Sequence, residues 1–139
     1  MSARKASTKK PPMQCAQEHC KNEETAFTKK NKATNKKMWQ ETNPDIKNRI
    51  YIDQFDHASF KNMNNCYAKH CPEYIRYGLR ENETFANSIC TTEKENKKFK
   101  AQMCRFVAEV KKILNKTTIT GDDKTLLHKK LTTAVVKLA

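Results

Sequence analysis

Two short stretches of this chain place cysteine and histidine at the same spacing. Residues 15–20 read CAQEHC and residues 66–71 read CYAKHC, so each is a C-x₄-C motif with histidine just before its second cysteine. Cysteine and histidine are ligands of structural zinc, and paired cysteines also form disulfide bonds. Either chemistry would fasten the start of the chain to its middle.

The zinc interpretation uses the cysteines of both motifs as one tetrahedral thiolate site. Four intervening residues is the upper limit of the usual spacing between paired zinc ligands. The histidines are alternative ligands, because each lies four positions after a cysteine and so on the same face of a helix. Zinc is the alternative cofactor; otherwise the sequence predicts none. The candidate ligands are Cys15, Cys20, Cys66 and Cys71, with His19 and His70 as substitutes.

The disulfide interpretation accounts for all six cysteines. Six cysteines allow fifteen pairings, and local sequence does not choose among them. The repeated motif favours cross-links between its two copies, with the remaining two cysteines linking neighbouring helices. Reduced, buried cysteines are the third alternative. The disulfide candidates are Cys15, Cys20, Cys66, Cys71, Cys90 and Cys104.

The composition explains why such a chain would need covalent support. Of its 139 residues 37% are apolar and 31% are charged, so its core is small for its length. Small cores are commonly reinforced by disulfides or a metal. Two glycines and four prolines are too few for a turn-rich β-sandwich or barrel, which favours helices. No glycine-rich loop or nucleophile motif is recognisable, so we expect no enzyme.

The net charge of +13 predicts an anionic partner. Lysine greatly outnumbers arginine, and a lysine acts as a point charge rather than as the planar fork that reads bases. We therefore expect contacts with acidic surfaces of other proteins, and nucleic acid phosphates are the alternative. The candidate anion contacts are Lys9, Lys10, Lys29, Lys30, Lys32, Lys36 and Lys37. His128 stands beside lysines and is expected at the surface.

The chain divides into three parts by composition. Residues 1–13 predict a basic, extended arm, and residues 14–44 contain the first motif and a basic linker. Residues 45–139 predict a helical domain with the second motif. Apolar residues at helical spacing predict a closing antiparallel hairpin of helices over about 92–115 and 122–138. The predicted fold is an all-α bundle stapled by its cysteines.

Local signals predict the remaining helix boundaries. Pro44 and Asp45 favour a helix start, and apolar spacing extends that helix to about Phe60. Residues 82–88 suggest a break, and Thr92 with Glu95 has the pattern of a capping box opening the first helix of the hairpin.

The sequence predicts a structural protein rather than a catalyst. No secretory signal and no membrane span are recognisable, so the expected location is a virion or an intracellular assembly. The hypothesis is a small, cysteine-stapled component of a large complex, namely a minor capsid or virion protein of a large DNA virus with its own thiol oxidase. The alternative is a zinc-stabilised nucleic-acid-binding protein.

Overall fold

The protein folds into one helical bundle. The computed structural model describes residues 12–139, and this range contains seven α-helices, one 3₁₀ turn and no β-strand. The helices are α1 (Pro12–His19), α2 (Lys21–Gln40), α3 (Pro44–Asp53), α4 (Ala58–His70), α5 (Pro72–Thr92), α6 (Lys97–Leu114) and α7 (Gly121–Leu138). The 3₁₀ turn Gln54–Asp56 joins α3 to α4. The all-α prediction is confirmed.

The predicted basic arm falls mostly outside the described residues. Residues 1–11, with Lys9 and Lys10, lie beyond the range that the structure describes. Residues 12 and 13, which were assigned to an extended arm, belong to α1 instead. Proline at the first position of a helix is favourable, because its missing N–H has no partner in the helix anyway.

Helices α6 and α7 form the predicted antiparallel hairpin. The side-chain amide of Asn96, just before α6, donates to the carbonyl of Leu138 at the end of α7. At the other end, the Lys116 ammonium lies 2.7 Å from the Asp123 carboxylate across the connecting turn. The beginning of one helix therefore adjoins the end of the other, as the sequence predicted.

Helices α4 and α5 complete a central group of four with the hairpin. The Arg76 guanidinium near the start of α5 donates to the carbonyl of Leu114 at the end of α6, at 2.9 Å. The Asn64 amide on α4 donates to the Thr125 hydroxyl on α7, also at 2.9 Å. Helix α5 thus runs antiparallel to α6, whereas α1 packs against α4 and α5 and α2 packs against α4. Most of the buried apolar side chains of this group belong to one core.

Two local boundary predictions are wrong. Thr92 ends α5 instead of capping α6, whose N-cap is Asn96; the side-chain oxygen Oδ1 of Asn96 accepts from the backbone N–H of Phe99 at 3.0 Å. The helix expected to continue to about Phe60 breaks at His57, whose ring Nδ1 caps the start of α4. At each observed start, the side chain of the N-cap residue accepts from one free backbone N–H group.

Helix α5 continues through residues 82–88, where a break was expected. Thr84, Asn87 and Ser88 are exposed, whereas Ala86 is fully buried. Burial of one face in the bundle outweighs the weak helix propensity of asparagine and threonine. None of the helices in residues 12–139 combines the length and the apolar character that a membrane span requires.

Candidate functional site

The two C-x₄-C motifs lie side by side and are joined by two disulfide bonds. Cys15 on α1 is bonded to Cys71, between α4 and α5. Cys20, between α1 and α2, is bonded to Cys66 on α4. The two Cα–Cα distances are both 5.9 Å. The sequence predicted cross-links between the motifs, and this prediction is confirmed; we call this pair of bonds the double clamp.

The local backbone explains how residues five apart can both reach the partner motif. On a regular helix such residues point about 140° apart. Each second cysteine breaks the helix, with φ/ψ of −123°/22° at Cys20 and −137°/61° at Cys71. The Cys20 N–H still donates to the Ala16 carbonyl at 2.8 Å, so it ends one helix and begins the next. The bend turns the second side chain toward the other motif.

An approximate two-fold relationship connects the motifs. A shift of 51 positions maps Cys15 onto Cys66 and Cys20 onto Cys71, and it exchanges the two disulfides with each other. It also exchanges two sulfur–oxygen contacts: Cys15 Sγ lies 3.3 Å from the carbonyl oxygen of His70, and Cys66 Sγ lies 3.4 Å from that of His19. The helices that follow the motifs, α2 and α5, have 20 and 21 residues. The repeat is therefore structural as well as sequential.

The tetrahedral thiolate site that the spacing also permitted is not formed. The four sulfurs are bonded in pairs, so they do not carry the thiolate charge that holds zinc. The alternative ligands His19 and His70 do meet, with ring centroids 5.4 Å apart. Within residues 12–139, however, no group of three or more histidine, cysteine, aspartate or glutamate side chains is placed to hold a metal ion.

The third disulfide joins Cys90 on α5 to Cys104 on α6, with a Cα–Cα distance of 4.9 Å. This agrees with the prediction that these two cysteines link neighbouring helices. Every cysteine of the chain is thus in a disulfide, and none is left as a thiol nucleophile.

The predicted basic linker is the second half of α2. Its lysines are spread along an exposed helix in which Thr34 is the only buried residue. The lysine-rich sequence has few apolar residues to mark a helix, so the pattern indicated a linker. The double clamp at its start and Phe27, whose ring centroid lies 5.0 Å from that of Phe60, hold it on the bundle. The candidate anion contacts that the structure describes are Lys29, Lys30, Lys32, Lys36 and Lys37.

Trp39, the only tryptophan of the chain, lies near the end of α2 and is 88% exposed. At 100° per residue, Trp39 falls on the same face of α2 as Lys32 and Lys36. We define the basic stripe as Lys29, Lys32, Lys36 and Trp39. The spacing of these residues was readable from the sequence once α2 was known to be a helix.

Two titratable side chains of α7 were missed by the sequence analysis. His128 was expected at the surface, but its ring packs against Phe55 and Phe60, with centroids 4.7 and 5.3 Å away. This burial, together with the nearby Lys124 charge, lowers the pKa of His128 to about 4. Burial also lowers the pKa of Lys124 to about 8. The four-residue spacing of Lys124 and His128, which places both on one face of α7, was the signal that the sequence offered.

A partly buried hydrogen bond connects α2 to α4. The Tyr67 hydroxyl donates to the Glu24 carboxylate at 2.7 Å. Burial, followed by the bond to Glu24, raises the pKa of Tyr67, so the phenol stays protonated. This bond adds a polar link beside the double clamp.

No family model, curated protein or solved structure matches this chain.

Proposed function

We propose that this protein is a structural component of a large assembly. In its most specific form, the proposal is that this assembly is the virion of a large DNA virus. In this role it acts as a rigid peg that presents the basic stripe of α2 to an acidic neighbouring protein. The observation that carries the proposal is an almost fully exposed tryptophan on the lysine-bearing face of a covalently braced helix. Catalytic activity forms no part of the proposal, and its absence stays a prediction.

The double clamp supports this role because it fixes the start of α2. Cys20 immediately precedes α2 and is bonded to Cys66, while Cys15, five residues earlier, is bonded to Cys71. Two bonds near the same point restrain rotation as well as separation. A rigid docking helix loses less conformational entropy on binding than a flexible one does. Three disulfides also suit a component that works in an oxidising compartment or particle.

The charge of α2 supports an acidic partner. From Thr25 to Gln40 the helix carries five lysines and no acidic residue. Lysine side chains at the rim of an interface speed association with an acidic surface, whereas a tryptophan supplies apolar burial at its centre. Because Trp39, Lys32 and Lys36 lie on one face of α2, that face can provide both the attraction to acidic groups and the apolar burial.

Nucleic acid is the second candidate partner, and the same lysines favour it. A helix with several lysines on one face can follow a phosphate backbone without reading sequence. Zinc is no longer required in this alternative, since disulfides hold the fold. The two candidates differ in salt response: nucleic acid binding weakens steeply with salt, whereas an interface centred on tryptophan burial weakens much less.

Sedimentation of native particles tests the proposal. The protein is expressed with an epitope tag in the cells that make it naturally, and particles are separated from free protein on a gradient. We expect the wild-type chain in the particle fraction, with its disulfides intact on a non-reducing gel. The Lys32→Glu/Lys36→Glu/Trp39→Ser variant should move to the position of the free 16.2 kDa chain.

A charge-matched control separates the stripe from overall charge. The Lys97→Glu/Lys98→Glu variant changes the net charge by the same amount on exposed positions of α6, and it should stay with the particles. Nuclease treatment that releases the wild-type chain would favour the nucleic acid alternative. Wild-type protein found only as the free chain would refute the assembly role.

A further inference from the structure

A second feature of the molecule, independent of the basic stripe, is a cavity between α4, α5 and α7. Its volume is about 390 Å³, which falls within the range of small-molecule sites. Aromatic side chains from four elements line it: Phe27, Phe55, Phe60, Tyr67, Tyr74 and Tyr77. We call this space the aromatic cavity.

Polar groups without partners converge on the aromatic cavity. The Asn82 side-chain nitrogen and His128 Nδ1 are buried, and neither has a hydrogen-bond partner among residues 12–139. The Lys124 ammonium likewise has no ion pair within the described part of the chain. Buried polar groups are normally satisfied, so two unpartnered buried atoms beside a lysine at one cavity indicate that a ligand supplies the missing partner.

Gly78 makes room for the lysine side chain. A Cβ at position 78 would lie 3.1 Å from Lys124 Cε and 3.6 Å from Nζ. The lysine stem therefore lies against the bare backbone of α5, and the ammonium reaches the wall of the cavity. Glu81 also lines the cavity, but its side chain is exposed and forms no ion pair with Lys124 within residues 12–139.

We infer that the aromatic cavity binds a small aromatic carboxylate. Its flat ring system packs among the phenylalanine and tyrosine rings, and its carboxylate accepts hydrogen bonds from the Lys124 ammonium and the Asn82 amide. The aromatic lining suits the ring system of this ligand, because aromatic rings form favourable offset or edge contacts with one another. The two donors suit its carboxylate, because an ionised carboxylate accepts hydrogen bonds and donates none. A neutral aromatic ligand would leave the ammonium unpaired.

Calorimetric titration of the folded protein at pH 7 tests the inference with 2-naphthoate and, as its uncharged analogue, 2-naphthamide. At this pH Lys124 is protonated, since its pKa is about 8. We expect saturable binding of 2-naphthoate and at least about tenfold weaker binding of 2-naphthamide. No saturable binding of 2-naphthoate below about 1 mM would overturn the inference.

Matched lysine variants assign the binding to the aromatic cavity. Lys124→Met keeps the length of the stem and removes the charge, so 2-naphthoate should bind about tenfold more weakly while 2-naphthamide is unchanged. Asn82→Leu removes the second donor and should weaken 2-naphthoate about threefold. Lys137→Met, an exposed position on the same helix, should bind like the wild type. Equal affinities of wild type and Lys124→Met for 2-naphthoate would refute the assignment, whatever the outcome for the basic stripe.

Discussion

The rings of His19 and His70 lie face to face, with centroids 5.4 Å apart and planes only 9° from parallel. Each histidine holds the same place in its C-x₄-C motif, and the approximate two-fold relationship that exchanges the two disulfides passes between them. The histidines therefore mark the centre of the double clamp. This arrangement shows that the repeated motif pairs with its own copy in an antiparallel sense, first cysteine with second.

Removal of the double clamp should be cooperative. The Cys20–Cys66 loop lies inside the Cys15–Cys71 loop, so either bond alone already closes most of residues 15–71 into a loop. Loop-closure entropy predicts a loss of about 3 kcal/mol when either pair is replaced by alanine, and about 7 kcal/mol when all four cysteines are replaced. Guanidinium unfolding measures the free energies.

The third disulfide provides the control for the clamp. Replacement of Cys90 and Cys104 by alanine should cost about 3 kcal/mol by the same entropy argument. Its loop lies outside the other two, so its cost should add to that of any clamp variant. Strict additivity within the clamp itself would contradict the nested pairing.

The two glycines should respond differently to alanine. A Cβ at Gly121 would come within 2.7 Å of the backbone N and Cα of Asn65, so α7 must move away from α4. At Gly78 the nearest atom is the flexible Lys124 side chain, at 3.1 Å. We expect Gly121→Ala to cost about 2–4 kcal/mol. Gly78→Ala should lie within about 1 kcal/mol of the wild type, because better helix propensity offsets the shift of Lys124. Thermal unfolding compares the two, and similar losses would contradict the close approach of α7 to α4.

His128 should make the fold less stable in mild acid. Its folded pKa of about 4 lies below the ordinary value of 6.5, so the unfolded chain takes up the proton first. The stabilisation that depends on the neutral ring is fully present above pH 6.5. It decreases as the pH falls, and a total of about 3 kcal/mol is lost by about pH 4.

A variant isolates this effect from the titration of carboxylates. In His128→Phe, the free energy of unfolding should fall by about 3 kcal/mol less between pH 7 and pH 4 than it does in the wild type. Urea unfolding at both pH values measures this difference. His19→Gln, at an exposed position, should keep the wild-type dependence. An unchanged pH profile in His128→Phe would show that the ring is not shielded from water.

Lys124 should reduce stability at neutral pH. Its folded pKa of about 8 lies below the ordinary 10.5, so the unfolded chain holds the proton more strongly and stability rises as the pH increases from about 8 to 10.5. The side chain is only partly shielded, so we expect Lys124→Met to stabilise the protein by about 1–2 kcal/mol at pH 7. The gain should shrink toward pH 10.5. Urea unfolding across this range measures it, and a destabilised variant would show that the ammonium has a partner in the folded chain.

Apolar periodicity and a proline start signal determined much of the helical framework. Apolar residues at helical spacing located the closing hairpin, because one face of each helix must be buried whatever its neighbours are. The first-turn proline of α3 was likewise readable locally. The repeated motif was enough to favour cross-links between its copies.

Only the tertiary structure decided which cysteine pairs with which. Cys15 could join Cys66 or Cys71 with equal local justification, and the choice depends on the relative direction of two distant helices. The same holds for α2, whose lysine-rich half is helical because its start is clamped and Phe27 packs against Phe60. It holds also for Lys124 and His128, which are shielded by residues more than 40 positions away in sequence. Local sequence determines which side chains a helix presents, whereas long-range packing determines what those side chains meet.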